Sequence, residues 1–254
     1  MKKILSVVFL VTVLFSAKAQ TADDVIAKYI DAMGGLEKLK SIKSIYSEGV
    51  AVMQNGFEIT TKTYRVQGKL FRQEIDFGRG SITSIITDKE GWFSNPRNEG
   101  VFEPVPAEVV AAQQVELDCA GALVDYASKG HTVELTGKET IEGNECYVIK
   151  LTAKTGRVTN YYIDNKNWYI IRTSSKGGAT MGAFGGGGGQ GGGRRQGGEE
   201  VEMKIDYSDF KKTADGYVFP MAVSRPGMGG AAMKTIIEKV EFNKEVDPKL
   251  FKPE

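Results

Sequence analysis

The sequence predicts a mainly β protein of one domain: an antiparallel meander of long strands that curls, with a few short helices. Three observations predict it. Glycine-bearing turns cut Ser44 to Asp88 into segments of nearly equal length, a second series of β-rich runs follows from His131 to Asn243, and helical spacing is confined to short stretches. Asn55-Gly56, Gln67-Gly68 and Gly78-Arg79-Gly80 mark the first boundaries. Asn-Gly supplies the positive φ angles that a two-residue hairpin turn needs. Between the turns lie SIYSEGVAVMQ, FEITTKTYRV, KLFRQEIDF and SITSIITD, which alternate polar and apolar residues imperfectly. Such runs exceed the ~5–6 residues of an ordinary strand, and long antiparallel strands in succession curl. A curled sheet encloses a space.

The elements follow in order. Lys2-Lys3, the apolar run Ile4 to Phe15 and the small-x-small triplet Ala17-Lys18-Ala19 form a secretory signal peptide over residues 1–19, cleaved after Ala19. The apolar run falls short of the ~20 residues that cross a membrane. No cysteine adjoins the cleavage point, so no lipid anchor is expected there. Loss of Lys2, Lys3 and Lys18 leaves 30 basic side chains against 32 acidic ones, a formal charge of −2. That balance gives no electrostatic footing for nucleic acid. Residues 20–254 carry no linker that divides the strand pattern, so one domain is expected. Thr21-Ala22-Asp23-Asp24 resembles a capping box, Val25, Ile26, Tyr29, Ile30 and Met33 recur at helical spacing, and Gly34-Gly35 stops the helix. A second short helix is expected over Leu36–Ile42.

After Gly91-Trp92-Phe93 the texture changes. Asn95-Pro96, Pro104 and Pro106 mark loops, and Ala107 to Cys119 reads as a helix with a place on the concave side of the sheet. Strands then resume as HTVELTGKETI, NECYVIKLTA, RVTNYYID, WYIIRTSSK, VEMKIDYSDFK, YVFPMAVSR and AMKTIIEKVEFN. Pro220 cannot donate to a ladder and calls for a bulge or a sheet edge. Residues 177–198 are a flexible glycine-rich insertion, with no Lys-Ser or Lys-Thr to make a phosphate loop. Counting hairpins places this loop and the later PGMGGAAM on one rim, with Met181, Phe184 and Met228 as rim residues beside Arg194 and Arg195.

The inventory for catalysis is thin. His131 is the sole histidine, no cluster has zinc-ligand spacing, and no Gly-x-Ser-x-Gly elbow occurs. A Cys146–His131 pair is the one conceivable nucleophile and base, a remote hydrolase alternative. Cys119 and Cys146 are the only cysteines; a disulfide and two buried free thiols both stay open. No enzyme and no cofactor are expected. What recurs instead is large apolar residues on strand after strand. Phe57, Ile59, Phe71, Ile75, Phe77, Trp92, Tyr147, Ile149, Leu151, Tyr161, Met203, Phe219 and Met221 are the candidate wall of an apolar cavity.

Several segments, in this order, resemble the periplasmic lipoprotein-carrier superfamily, the outer membrane lipoprotein-sorting proteins. They are Tyr29-Ile30-x-Ala32-x-Gly34-Gly35 with the Leu36–Ile42 helix, Gly91-Trp92-x-x-Asn95-Pro96, and Leu123-Val124-Asp125-Tyr126-x-x-Lys129-Gly130-His131. Gly137-Lys138-Glu139-x-x-Glu142-Gly143, Tyr161-Tyr162-Ile163-Asp164, Asp215-Gly216-x-x-Phe219-Pro220 and Asp247-Pro248-x-x-Phe251 complete the pattern over nearly the whole mature chain. The resemblance implies an incomplete, half-open antiparallel β-barrel of about eleven strands, with short helices covering the concave side. It also implies a periplasmic protein whose partner is a lipid or an acylated lipoprotein held by its acyl chains. An envelope sensor of the same fold, passing a lipid signal to a membrane protein, is the alternative.

Overall fold

The computed structural model describes residues 20–53, 56–96, 99–176, 202–226 and 232–253. The expected signal peptide, the glycine-rich loop and the rim residues Met181, Phe184 and Met228 lie outside the described residues. The chain begins with α1 (Ala22–Ala32), whose capping box is formed: Thr21 Oγ1 accepts from the Asp24 backbone N–H, and the Asp24 carboxylate accepts from the Thr21 N–H. The helix stops at Gly34 and Gly35, both at positive φ, and a single turn, α2 (Leu36–Lys40), follows.

The strands come next: β1 (Ser44–Val52), β2 (Glu58–Val66), β3 (Leu70–Asp76), β4 (Ser81–Thr87), β5 (Gly91–Ser94) and β6 (Glu103–Pro104). The expected helix from Ala107 to Cys119 is shorter than predicted. It consists of α3 (Ala107–Gln113), continued by a 3₁₀ turn, Gln114–Leu117, so Cys119 lies beyond it. The second series is β7 (Thr132–Ile141), β8 (Asn144–Thr152), β9 (Val158–Asp164), β10 (Ile170–Lys176), β11 (Glu202–Lys212), β12 (Val218–Pro226) and β13 (Ala232–Phe242). A C-terminal 3₁₀ turn spans Pro248–Phe251.

Among the described residues these strands form one antiparallel sheet in the order β6-β5-β4-β3-β2-β1-β13-β12-β11-β10-β9-β8-β7. The first strand pairs with the last, so two meanders are joined at the middle. β6 and β7 stay as unpaired edges, and the architecture is the expected incomplete barrel with short helices. The strand count exceeds eleven because β5 and β6, of four and two residues, are too short to leave a periodic signal.

One face of the sheet takes the helices. Under α1, Val25, Ile26 and Tyr29 pack with Leu123, Ile149, Leu151 and Ile163. Leu39 of α2 and neighbouring Ile42 pack on Ile45, Tyr217 and Phe242. Val110 of α3 and Leu117 pack on Phe71 and Ile86. The opposite face is covered locally: the C-terminal turn lies on β3 and β4, where Arg72 donates to the Leu250 carbonyl at 3.3 Å. Pro220 sits in neither a register shift nor an outer edge. It pairs with Phe210 on β11, while the β12–β13 ladder ends above it at Ala222↔Ile236. The two strands part there, and Tyr217 and Phe219 contact Phe242 across the gap.

Candidate functional site

Register assigns each candidate wall residue to a face. Ile45 lies opposite Arg65, Arg65 opposite Phe71 and Phe71 opposite Ile86, so these residues share the helix-covered face. Ile59 and Ile75 belong to that face by the same count. On the other meander Ile149, Tyr161 and Thr173 are successive partners, Tyr207 pairs with Val223, and Phe219 and Met221 share the parity of Val223. Met203, opposite Ser175, completes the set. Trp92 is a correction. It pairs with Ile85, whereas Gly91 pairs with Ile86, so Trp92 faces away from the helices and Phe93 takes the inner position. Phe57 and Phe77 lie in hairpin connections rather than strands, and Phe57 is exposed.

The inner residues divide by what covers them. Ile149, Leu151 and Phe71 are fully buried in the helix-packed clusters, and Tyr147 stacks on Trp168, over which Lys28 of α1 lies 4.3 Å from the ring centroid. A further strip belongs to none of the buried clusters. Ile75, Met203, Ile205, Met221, Met233 and Ile237 are each only half-buried, although they point to the same side as the core. β10, β11, β12 and β13 end at Lys176, Glu202, Pro226 and Ala232, paired as Lys176↔Glu202 and Pro226↔Ala232. The strands flanking the two glycine segments therefore end on one edge of the sheet.

A polar group was missed by the sequence reading. Glu116, on the 3₁₀ turn, accepts from Arg65 Nη2 at 3.2 Å and lies 3.6 Å from Arg157 Nη1, linking β2 to the turn before β9. Arg65 also lies over the Phe71 ring, and its Nε is buried with no hydrogen-bond partner. Arg225 shares the inner parity of Phe219, Met221 and Val223. It retains some exposed surface, yet burial is the largest influence on its charge and lowers its pKa. The Tyr207 phenol raises that pKa, neighbouring Arg65 lowers it and Glu116 raises it. Tyr161 behaves alike: half-buried, its phenol is raised first by burial and then by Glu116. Among the described residues no hydrogen bond or ion pair holds the Arg225 guanidinium. A signal for it existed, since an arginine interrupts the apolar parity of YVFPMAVSR.

The remote hydrolase pair is overturned. Cys146 pairs with Glu139, whereas Thr132, next to His131, pairs with Thr152, so the two lie at opposite ends of the β7–β8 hairpin. Six residues of strand at about 3.3 Å each put roughly 20 Å between them. Cys146 is buried, its thiol pushed up to about 11 by burial and by Asp164, and His131 Nδ1 accepts from the Lys154 backbone N–H. Cys119 and Cys146 are both free and buried, in clusters on opposite faces. Among the described residues no group of three His, Cys, Asp or Glu is placed to hold a metal.

No family profile and no curated protein sequence matches the chain. Solved structures do. A LolA superfamily protein from Nitrosomonas europaea aligns with a TM-score of 0.54 at 12% identity, over 92% of this chain and 98% of its own. A DUF1329 family protein from Desulfovibrio piger aligns at 0.52 and 15% identity, covering 90% of this chain and 97% of its own. A domain from Vibrio parahaemolyticus assigned to outer membrane lipoprotein sorting aligns at 0.50 and 9% identity, covering 90% and 94%. At such identities the likeness is one of fold. The half-open barrel with helices on its concave side is similar in fold to these structures, a LolA superfamily protein among them, in line with the resemblance read from the sequence motifs.

Proposed function

We propose that the protein is an exported, non-catalytic binding protein that holds the acyl chain of a lipid or an acylated lipoprotein between its sheet and its helices. The observation that carries this reading is the inner strip of Ile75, Met203, Ile205, Met221, Met233 and Ile237, half-buried on the face that elsewhere forms the core. Tyr161, Phe219 and Ile59 flank it, and Met203 and Met221 are adaptable side chains suited to a flexible tail. Each methylene shielded from water contributes about 0.8 kcal/mol, so a long tail supplies ample affinity. The signal-peptide pattern of residues 1–19 and the lipoprotein-sorting neighbours support a periplasmic setting. Native mass spectrometry of protein purified from the cell envelope is expected to show a lipid or lipoprotein bound one to one. An apo mass alone, with no acyl-chain affinity on titration, contradicts the reading. A single stoichiometric protein partner without lipid would favour the sensor alternative instead.

A further inference from the structure

Resting on the reading of the protein as exported, we infer that the mature chain begins with pyroglutamate: Gln20, freed by cleavage after Ala19, closes on its own side chain. The signal-peptide pattern ends at Ala17-Lys18-Ala19, so the residue that receives the new α-amine is a glutamine. The step is internal and redox-neutral. The unprotonated α-nitrogen of Gln20 attacks Cδ of the same residue, forming a C–N bond and a five-membered lactam. The Cδ–Nε2 bond breaks, and Nε2 leaves as ammonia with the proton given up by the amine. Both reacting groups belong to one residue, so the reaction needs no second molecule and gains from proximity. An α-amine titrates near ~7.7–8.0, so part of it is unprotonated at neutral pH.

Three features of the fold favour the closed form. Gln20 Nε2 is buried with no hydrogen-bond partner, and it is the atom that the step expels. A buried N–H left unsatisfied is costly, and loss of the amide nitrogen removes that cost. Second, the start of α1 does not depend on the Gln20 amide. The capping box begins one residue later: Thr21 Oγ1 accepts from the Asp24 N–H at 3.2 Å, and Asp24 Oδ2 accepts from the Thr21 N–H at 3.0 Å. Among the described residues the backbone N–H of Gln20 makes no hydrogen bond, so turning it into a lactam nitrogen breaks no contact. Gln20 also lines an open cleft with Asp24, Ala27 and Lys28, which gives the chain end room to close. The third feature is charge. A free α-ammonium on Gln20 would stand at the positive end of α1, where a cation is unfavourable, and cyclisation removes that charge. The acids of the first turn are already engaged, Asp24 by Thr21 and Asp23 by the Tyr126 hydroxyl at 2.6 Å.

Mass spectrometry of the N-terminal peptide tests this. The full chain is expressed with residues 1–19, and the mature protein is isolated from the envelope and digested with trypsin to release Gln20–Lys28. An isotope-labelled synthetic Gln20–Lys28, added in the open form at lysis, reports any closure during handling. The protein's own peptide is expected to be lighter by one ammonia and to lack a reactive amine. Its closed-to-open ratio is expected to be at least about tenfold that of the standard. In Gln20→Asn, whose shorter side chain would have to form a four-membered ring, the peptide is expected to stay open. Equal ratios in protein and standard overturn the inference while leaving export and the acyl-chain reading intact. A peptide that starts at another residue overturns the cleavage after Ala19, and the inference with it. If residues 1–19 are retained, the exported reading itself has failed. The wild-type ratio decides the matter without the variant.

Discussion

At Gly49 the sheet has no room for a side chain. A Cβ there would meet the Ile236 carbonyl oxygen at 2.5 Å and the Ile237 and Thr235 side chains at 3.0 Å. The β1–β13 register shifts at this residue, so the central seam depends on close backbone approach. Gly49→Ala is expected to destabilise the fold by about 1–3 kcal/mol, read from urea unfolding. An unchanged midpoint would show that the seam can give. Single residues also mark where the sequence was readable and where it was not. Gly56, Gly68, Gly78 and Gly80 sit at positive φ in the hairpin connections, as the turn signals require. Trp92 went to the wrong face because a one-residue offset in a four-residue strand inverts every side chain. Cys146 and His131 looked close because strand adjacency was visible and register was not. Arg65, Glu116 and Arg157 gave no joint signal, since distant backbone positions bring them together only through long side chains.

At the scale of elements, β4 shows why alternation was imperfect. After Ser81 every residue of SITSIIT is buried, because Ile86 meets α3 and Leu117 on one side while the C-terminal turn covers the other. Arg72 fastens that cover. Only 6% exposed, it donates to Glu74 at 2.6 Å and to the Leu250 carbonyl. Arg72→Ala is expected to cost about 1–3 kcal/mol and to release the amides of Leu250 and Lys252 to fast hydrogen exchange. Unchanged protection of those amides would show that the turn is held by other contacts. The two N-terminal helices were legible from their cap, apolar spacing and Gly34-Gly35 stop. The tightening of α3 into a 3₁₀ turn was not, because Gln114 to Leu117 suits either geometry by composition.

Across the whole molecule, the pairing of β1 with β13 makes two meanders into one curved sheet, and short helices pack at three places along its inner face. The long strands, their order along the chain and the mainly β class were readable from turn spacing alone. The pairing of first strand with last was not, because nothing in either strand names its partner across nearly 200 residues. That seam creates the inner strip on which the functional reading rests. The most direct measurement is photo-crosslinking with a long-chain fatty acid carrying a diazirine near its tail, with adducts mapped by mass spectrometry. The account predicts labelling at Met203, Met221 and Ile237 on the inner face, and none at Ile236 or Trp92 on the outer one. Adducts confined to the outer face, or none at saturating probe, would contradict it.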